Sequence, residues 1–171
     1  MKNLFLNVLM ILFLSIPAYS QKSDVVELKV NLNGVMQNAL EIIAYDCDAD
    51  WVAKSFKTLM KKYESANVSG NKEMISAEGI LIQMISLNKM NAYLILNQLP
   101  EGAKCDFFFE LGENKFLSSV VSASDFGNAH KFVYDFVIQL RKEKVMNQLA
   151  ESKNSLMKME RDLEGMKRDL Q

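Results

Sequence analysis

The chain has 171 residues, of which 49% are hydrophobic and 24% are charged. These proportions are typical of one ordinary globular domain and exclude a disordered chain. The formal net charge is -1, and without residues 1–20, whose one charge is Lys2, there are 19 basic and 21 acidic side chains. A nucleic-acid-binding protein needs a basic face to neutralise phosphates, so this balance predicts no nucleic-acid partner.

The first twenty residues have the pattern of an export signal. Lys2 supplies a positive start, residues 4–16 form an apolar run, and Ala18-Tyr19-Ser20 provides a cleavage site. A retained membrane anchor is the alternative, but the run is shorter than the roughly 20 residues that a membrane-spanning helix needs. We therefore expect residues 1–20 to be removed, and the mature protein to be periplasmic or extracellular with no transmembrane span.

The first half of the mature chain predicts two strands and a short helix. Residues 25–32 alternate apolar and polar side chains, Asn33-Gly34 is a turn signal, and residues 38–47 form a second apolar segment. A helix is expected at about residues 50–63, because acidic side chains precede it and lysines follow near its end, as the helix dipole favours. Residues 65–72 are expected to form a polar loop.

Four apolar runs follow, at residues 74–77, 80–85, 90–99 and 105–111, with turn residues between them. An antiparallel meander is the simplest interpretation. In the last run, Cys105, Phe107, Phe109 and Leu111 share one face, which is expected to be core. The fold class predicted is α+β, with an antiparallel sheet of about four to six strands.

A single long helix is predicted from about residue 124 to residue 170. Its first part has an apolar stripe suited to packing on the sheet, and no proline separates it from a heptad pattern in residues 143–171. This divides the chain into a signal peptide (1–20), an α+β domain (21–142) and a coiled-coil-like extension (143–171). The apolar residues at the a and d positions of the extension, interrupted by Ser152, are Val145, Leu149, Leu156, Met159, Leu163, Met166 and Leu170.

Two resemblances accompany this pattern. The element order of residues 25–140 resembles a reduced helix-grip arrangement, in which a curved sheet wraps a helix, and this implies an apolar cavity between sheet and helix. The signal, the turn Leu99-Pro100-Glu101-Gly102, the run 107–112, the segment 116–119 and the charged tail are similar to a group of uncharacterised secreted bacterial proteins. That likeness implies no activity and no site residues.

Motifs with catalytic or metal-binding chemistry are weak. Asp46, Asp48 and Asp50 have the spacing that opens an EF-hand loop, but Trp51 and Lys57 stand where such a loop needs glycine and glutamate. Helix capping is the better interpretation of these aspartates. His130 is the one histidine in the chain, so a multi-histidine metal site is excluded and no cofactor is predicted.

Cys47 and Cys105 would meet an oxidising compartment after export, so a disulfide between them is possible. Two separate buried thiols are the alternative, because sequence spacing does not show whether the Cα atoms approach within about 7 Å.

These observations predict a non-enzymatic interaction module. Its partner would be itself or another helical protein, bound through the C-terminal helix. The alternative is a carrier of a small apolar ligand in a cavity between sheet and helix.

Overall fold

The computed structural model describes residues 24–63 and 66–169, which form one six-stranded antiparallel sheet and two helices. The predicted α+β class is confirmed. In chain order the elements are β1 (Val26–Leu32), β2 (Val35–Tyr45), α1 (Ala49–Met60), β3 (Asn67–Gly70), β4 (Met74–Ile80), β5 (Met90–Leu99), β6 (Gly102–Glu110) and α2 (Ala123–Asp169). The strand order across the sheet is β1-β2-β6-β5-β4-β3.

The first hairpin follows from two residues. Asn33 and Gly34 both have positive φ, 54° and 88°, which is what a two-residue turn matched to the twist of a hairpin requires. The Asn31 side chain accepts a hydrogen bond from the Gly34 N–H at 2.8 Å. Leu32 therefore pairs with Val35, and β2 begins three residues earlier than the sequence pattern predicted.

Two sequence predictions in the middle of the chain are wrong. The separate strand predicted at residues 80–85 does not form, because residues 81–89 contain no strand. Ile82 and Ile85 are buried, but they lie in a turn in which the Ile85 N–H donates to the Ile82 carbonyl at 2.7 Å. A short apolar run does not distinguish a strand from a loop whose side chains are buried in the core. The segment predicted as a polar loop contains the edge strand β3, which pairs with β4.

The main core lies between one face of the sheet and the two helices. Phe56 of α1, Phe107 of β6 and Phe136 of α2 contact each other edge to face, with ring centroids 5.7 to 5.9 Å apart. Such T-shaped pairs are the arrangement that aromatic quadrupoles favour. The first half of α2 packs here through Ala129, Phe132, Val133, Val137 and Leu140. The predicted packing of this half-helix on the sheet is confirmed.

A second, smaller cluster covers part of the opposite face of the sheet. Leu32, Ala39, Phe108 and Phe116 are buried there. Phe116 reaches this face because the chain folds back after β6, where Phe116 bridges to Glu110 and the Leu117 N–H donates to the Phe109 carbonyl. Both faces of the sheet therefore carry buried aromatic residues.

The predicted signal peptide falls on residues 1–20, which lie outside the described residues. Among the helices that the structure describes, none is long and apolar enough to cross a membrane.

Candidate functional site: the arm of the last helix and its root

We call residues 143–169 of α2 the arm. The last buried side chain of α2 is Leu140, and beyond it the helix leaves the domain. At 1.5 Å per residue, the arm is about 40 Å long. All the described members of the predicted stripe are at least half exposed: Val145 63%, Leu149 69%, Leu156 56%, Met159 67%, Leu163 50% and Met166 58%. Leu170 lies outside the described residues.

The exposed apolar edge extends from the arm back onto the domain. Ile138 is 38% exposed and lies seven residues before Val145, so it occupies the same heptad position. Tyr134, one turn earlier, is exposed to the same extent. A partner helix lying along the arm could therefore also contact the side of the domain.

Arg141 and Lys144, which we call the root of the arm, contact the acidic loop before α1. Lys144 donates to the Asp48 carboxylate at 3.1 Å, and Arg141 lies 3.9 Å from the Asp46 carboxylate. The Arg141 guanidinium also stands over the Tyr45 ring, 5.8 Å from its centroid. Each of these ion pairs contributes only about 0–1 kcal/mol. They add to the core packing of the first half of α2, which sets the direction in which the arm leaves the domain.

Asp48 is also the N-cap of α1, as the sequence predicted for this group of aspartates. Its side chain accepts a hydrogen bond from the Trp51 N–H at 2.8 Å. That bond and the contacts with Lys144 lower the pKa of Asp48. The Asp48 carboxylate thus caps the N-terminus of α1 and also binds the root of the arm.

A groove of about 470 Å³ lies between α1 and α2. This volume is within the roughly 300–1,000 Å³ typical of small-molecule sites. The main core lies between the sheet and α2, where the helix-grip resemblance implied a cavity, and that cavity stays a prediction. The apolar residues that line the interhelical groove are Trp51, Leu59, Tyr63, Met84, Phe132, Phe136 and Leu140.

The polar residues of the groove are divided by helix. Lys54 and Lys62 lie on the α1 side, whereas Asp135 and Glu143 lie on the α2 side. Each carboxylate accepts a hydrogen bond from a residue of its own helix. Lys131 donates to Asp135, and the Gln139 amide donates to Glu143 at 3.1 Å.

A carboxylate is buried on the second face of the sheet. Asp106 of β6 has 0% exposure and pairs directly across the sheet with Glu41 of β2. Lys104 lies 3.2 Å from Glu41 and 3.4 Å from Asp106, yet neither Asp106 oxygen has a hydrogen-bond partner among the described residues. Burial, opposed by Lys104 and reinforced by Glu41, raises the pKa of Asp106 to about 6.

Glu110, further along β6, differs from Asp106 because its carboxylate accepts hydrogen bonds. It accepts hydrogen bonds from the Asn91 amide at 3.0 Å and from the Tyr93 hydroxyl at 2.9 Å. Burial acts to raise the pKa of Glu110, but these hydrogen bonds outweigh it and lower the pKa overall. Burial and the bond to Glu110 raise the pKa of Tyr93 to about 12.

Cys47 and Cys105 are both buried free thiols in this structure. Burial raises the pKa of each thiol, and for Cys105 the neighbouring Asp106 and Cys47 add to the rise. A thiol with a raised pKa is a poor nucleophile. The disulfide between them stays a prediction for the oxidised protein.

The structure does not bring the remaining candidate residues from the sequence together in one site. His130 is on the exposed side of α2. Across the described ranges, no group of three or more His, Cys, Asp or Glu side chains is arranged to hold a metal ion. The sequence patterns did not reveal the root contacts or the burial of Asp106, because both depend on residues that are distant in the chain.

Comparison of the chain with protein-family models, with curated proteins and with solved structures found no match.

Proposed function

We propose that this protein is an exported, non-enzymatic interaction module that associates with a second copy of itself through the stripe of the arm. The observation that carries the proposal is the exposure of every described stripe residue on a helix whose first half is packed in the core. Complete burial of a Leu, Met or Val side chain is worth about 1.5–3 kcal/mol. A second copy supplies a matching surface for all of them.

Charges beside the stripe favour a parallel arrangement. With Leu156 and Leu163 at a positions, Asp162 occupies a g position and Lys167 the following e position. In a parallel coiled coil, a g residue faces the next e residue of the partner, so Asp162 and Lys167 would attract each other. Ser152 at a d position interrupts the apolar seam and makes the association weaker than that of an uninterrupted coiled coil.

Sedimentation equilibrium of residues 21–171, from about 1 µM to about 1 mM, tests the proposal. We expect the mass to rise with concentration to that of an oligomer. The variant Leu156→Asp/Leu163→Asp places two charges in the seam and should remain monomeric. The matched control, Asn147→Asp/Asn154→Asp, adds the same two charges on the opposite face of the arm and should associate as the unmodified chain does.

The proposal is refuted if the unmodified protein is monomeric at every concentration, or if the two double variants weaken association equally. Circular dichroism should show the same folded domain in all three proteins, because no residue changed in them belongs to the core. The orientation has its own test. Lys167→Asp should weaken a parallel association by repulsion from Asp162, and adding Asp162→Lys should restore it.

A further inference from the structure

The groove between α1 and α2 has an apolar floor. Trp51 and Leu59 of α1 line this groove with Phe136 of α2. Met84, which is 47% exposed, lines it as well. Aromatic and methionine side chains adapt well to flexible apolar ligands. The floor therefore suits an alkyl chain better than a rigid polar molecule.

The charges of the rim are not equivalent. The carboxylates of Asp135 and Glu143 are engaged by Lys131 and Gln139. By contrast, the side-chain ammonium groups of Lys54 and Lys62 have no hydrogen-bond or ion-pair partner among the described residues. Within the described part of the chain, the rim thus offers the ammonium groups of Lys54 and Lys62 to a ligand, whereas its two carboxylates already accept hydrogen bonds.

We propose that the groove binds a single-chain anionic amphiphile, with its alkyl chain on the apolar floor and its carboxylate or other anionic head group beside Lys54 and Lys62. A long-chain carboxylate is the simplest such molecule. This gives a chemical class to the apolar ligand expected from the sequence and places it between the helices. It does not depend on association through the arm.

Trp51 provides a direct signal for binding. It is the one tryptophan in the chain and it lines the groove, so its fluorescence reports a ligand that contacts the floor. Titration of residues 21–171 with sodium decanoate, below the concentration at which it forms micelles, should give a saturable change in Trp51 emission. Shortening the probe to octanoate should weaken binding by up to about fourfold for each methylene lost.

Two comparisons isolate the role of charge. Decanol and decylamine have the same alkyl chain, and both should bind more weakly than decanoate, the amine most weakly. Lys54→Gln/Lys62→Gln should weaken decanoate binding by about five- to tenfold without changing the affinity for decanol. The matched control is Lys29→Gln/Lys89→Gln, which removes two exposed lysines outside the groove and should bind decanoate normally.

The proposal is overturned if decanoate gives no saturable change, if decylamine binds as tightly as decanoate, or if the two lysine double variants behave alike. An acidic amphipathic peptide that displaces bound decanoate and binds at least tenfold more tightly would also overturn it in favour of a protein partner. The Leu156→Asp/Leu163→Asp variant should bind decanoate with unchanged affinity. This outcome separates the groove from the arm, so either proposal can fail alone.

Discussion

Replacement of Asp106 by asparagine is expected to stabilise the protein at neutral pH. The carboxylate is fully buried, both of its oxygens lack hydrogen bonds among the described residues, and Glu41 stands directly opposite it. Among the described residues, its one favourable charge contact is with Lys104 at 3.4 Å, and Lys104 is closer to Glu41. Asparagine keeps the shape of the side chain and removes the buried charge, and its amide can donate to Glu41.

The magnitude follows from the raised pKa of Asp106, about 6 against an ordinary 3.8. Because the folded protein holds this proton more tightly than the unfolded chain, stability is lost as pH rises from about 4 to about 6. The difference between these two pKa values corresponds to at most about 3 kcal/mol. We expect Asp106→Asn to gain about 1–3 kcal/mol at pH 7 and almost nothing at pH 4.

Urea denaturation followed by Trp51 fluorescence at several pH values between 4 and 8 measures the effect. A control of opposite sign is available on the same strand. The pKa of Glu110 is lowered by its hydrogen bonds, so Glu110 contributes stability that is lost as pH falls. Glu110→Gln should therefore destabilise the protein at pH 7, and the loss should become smaller towards pH 4.

Equal stability of the Asp106→Asn variant and the unmodified protein at pH 7, or parallel pH profiles for the two, would refute this reasoning. Either result would mean that Lys104 compensates the buried charge fully.

Gly102 has a φ of 156°, and a Cβ there would lie 2.3 Å from the Ala44 carbonyl oxygen, so Gly102→Ala should cost about 1–3 kcal/mol. Gly127 lies within α2 with nothing near its Cβ position, and Gly127→Ala should instead stabilise by up to about 1 kcal/mol; thermal unfolding distinguishes the two signs. Asp48→Ala should lower the free energy of unfolding by about 0.5–2 kcal/mol through loss of the N-cap. Asp48→Asn keeps a capping oxygen and should recover most of that loss in urea denaturation, although it weakens the contact with Lys144; equal losses in both variants would contradict a capping role.

Local patterns were sufficient for several parts of the fold. The Asn33-Gly34 turn, the N-cap of α1 and the continuous helix through the arm were all predictable, because each depends on residues within a few positions of one another. The prediction of a separate strand at residues 80–85 is wrong. The periodicity of this apolar run is the same whether Ile82 and Ile85 belong to a strand or to a loop buried against the core.

By itself, the sequence determined the α+β class, the position of the last helix and the apolar stripe on its second half, since helical and strand periods are local properties of the chain. The tertiary structure alone decided that Phe108 is buried rather than exposed, because Phe116 returns to cover it. It also decided that Asp106 faces Glu41 and that Lys144 meets Asp48 at the root of the arm. Those contacts join residues far apart in sequence, and their formation depends on strand register and helix packing, which no local pattern encodes.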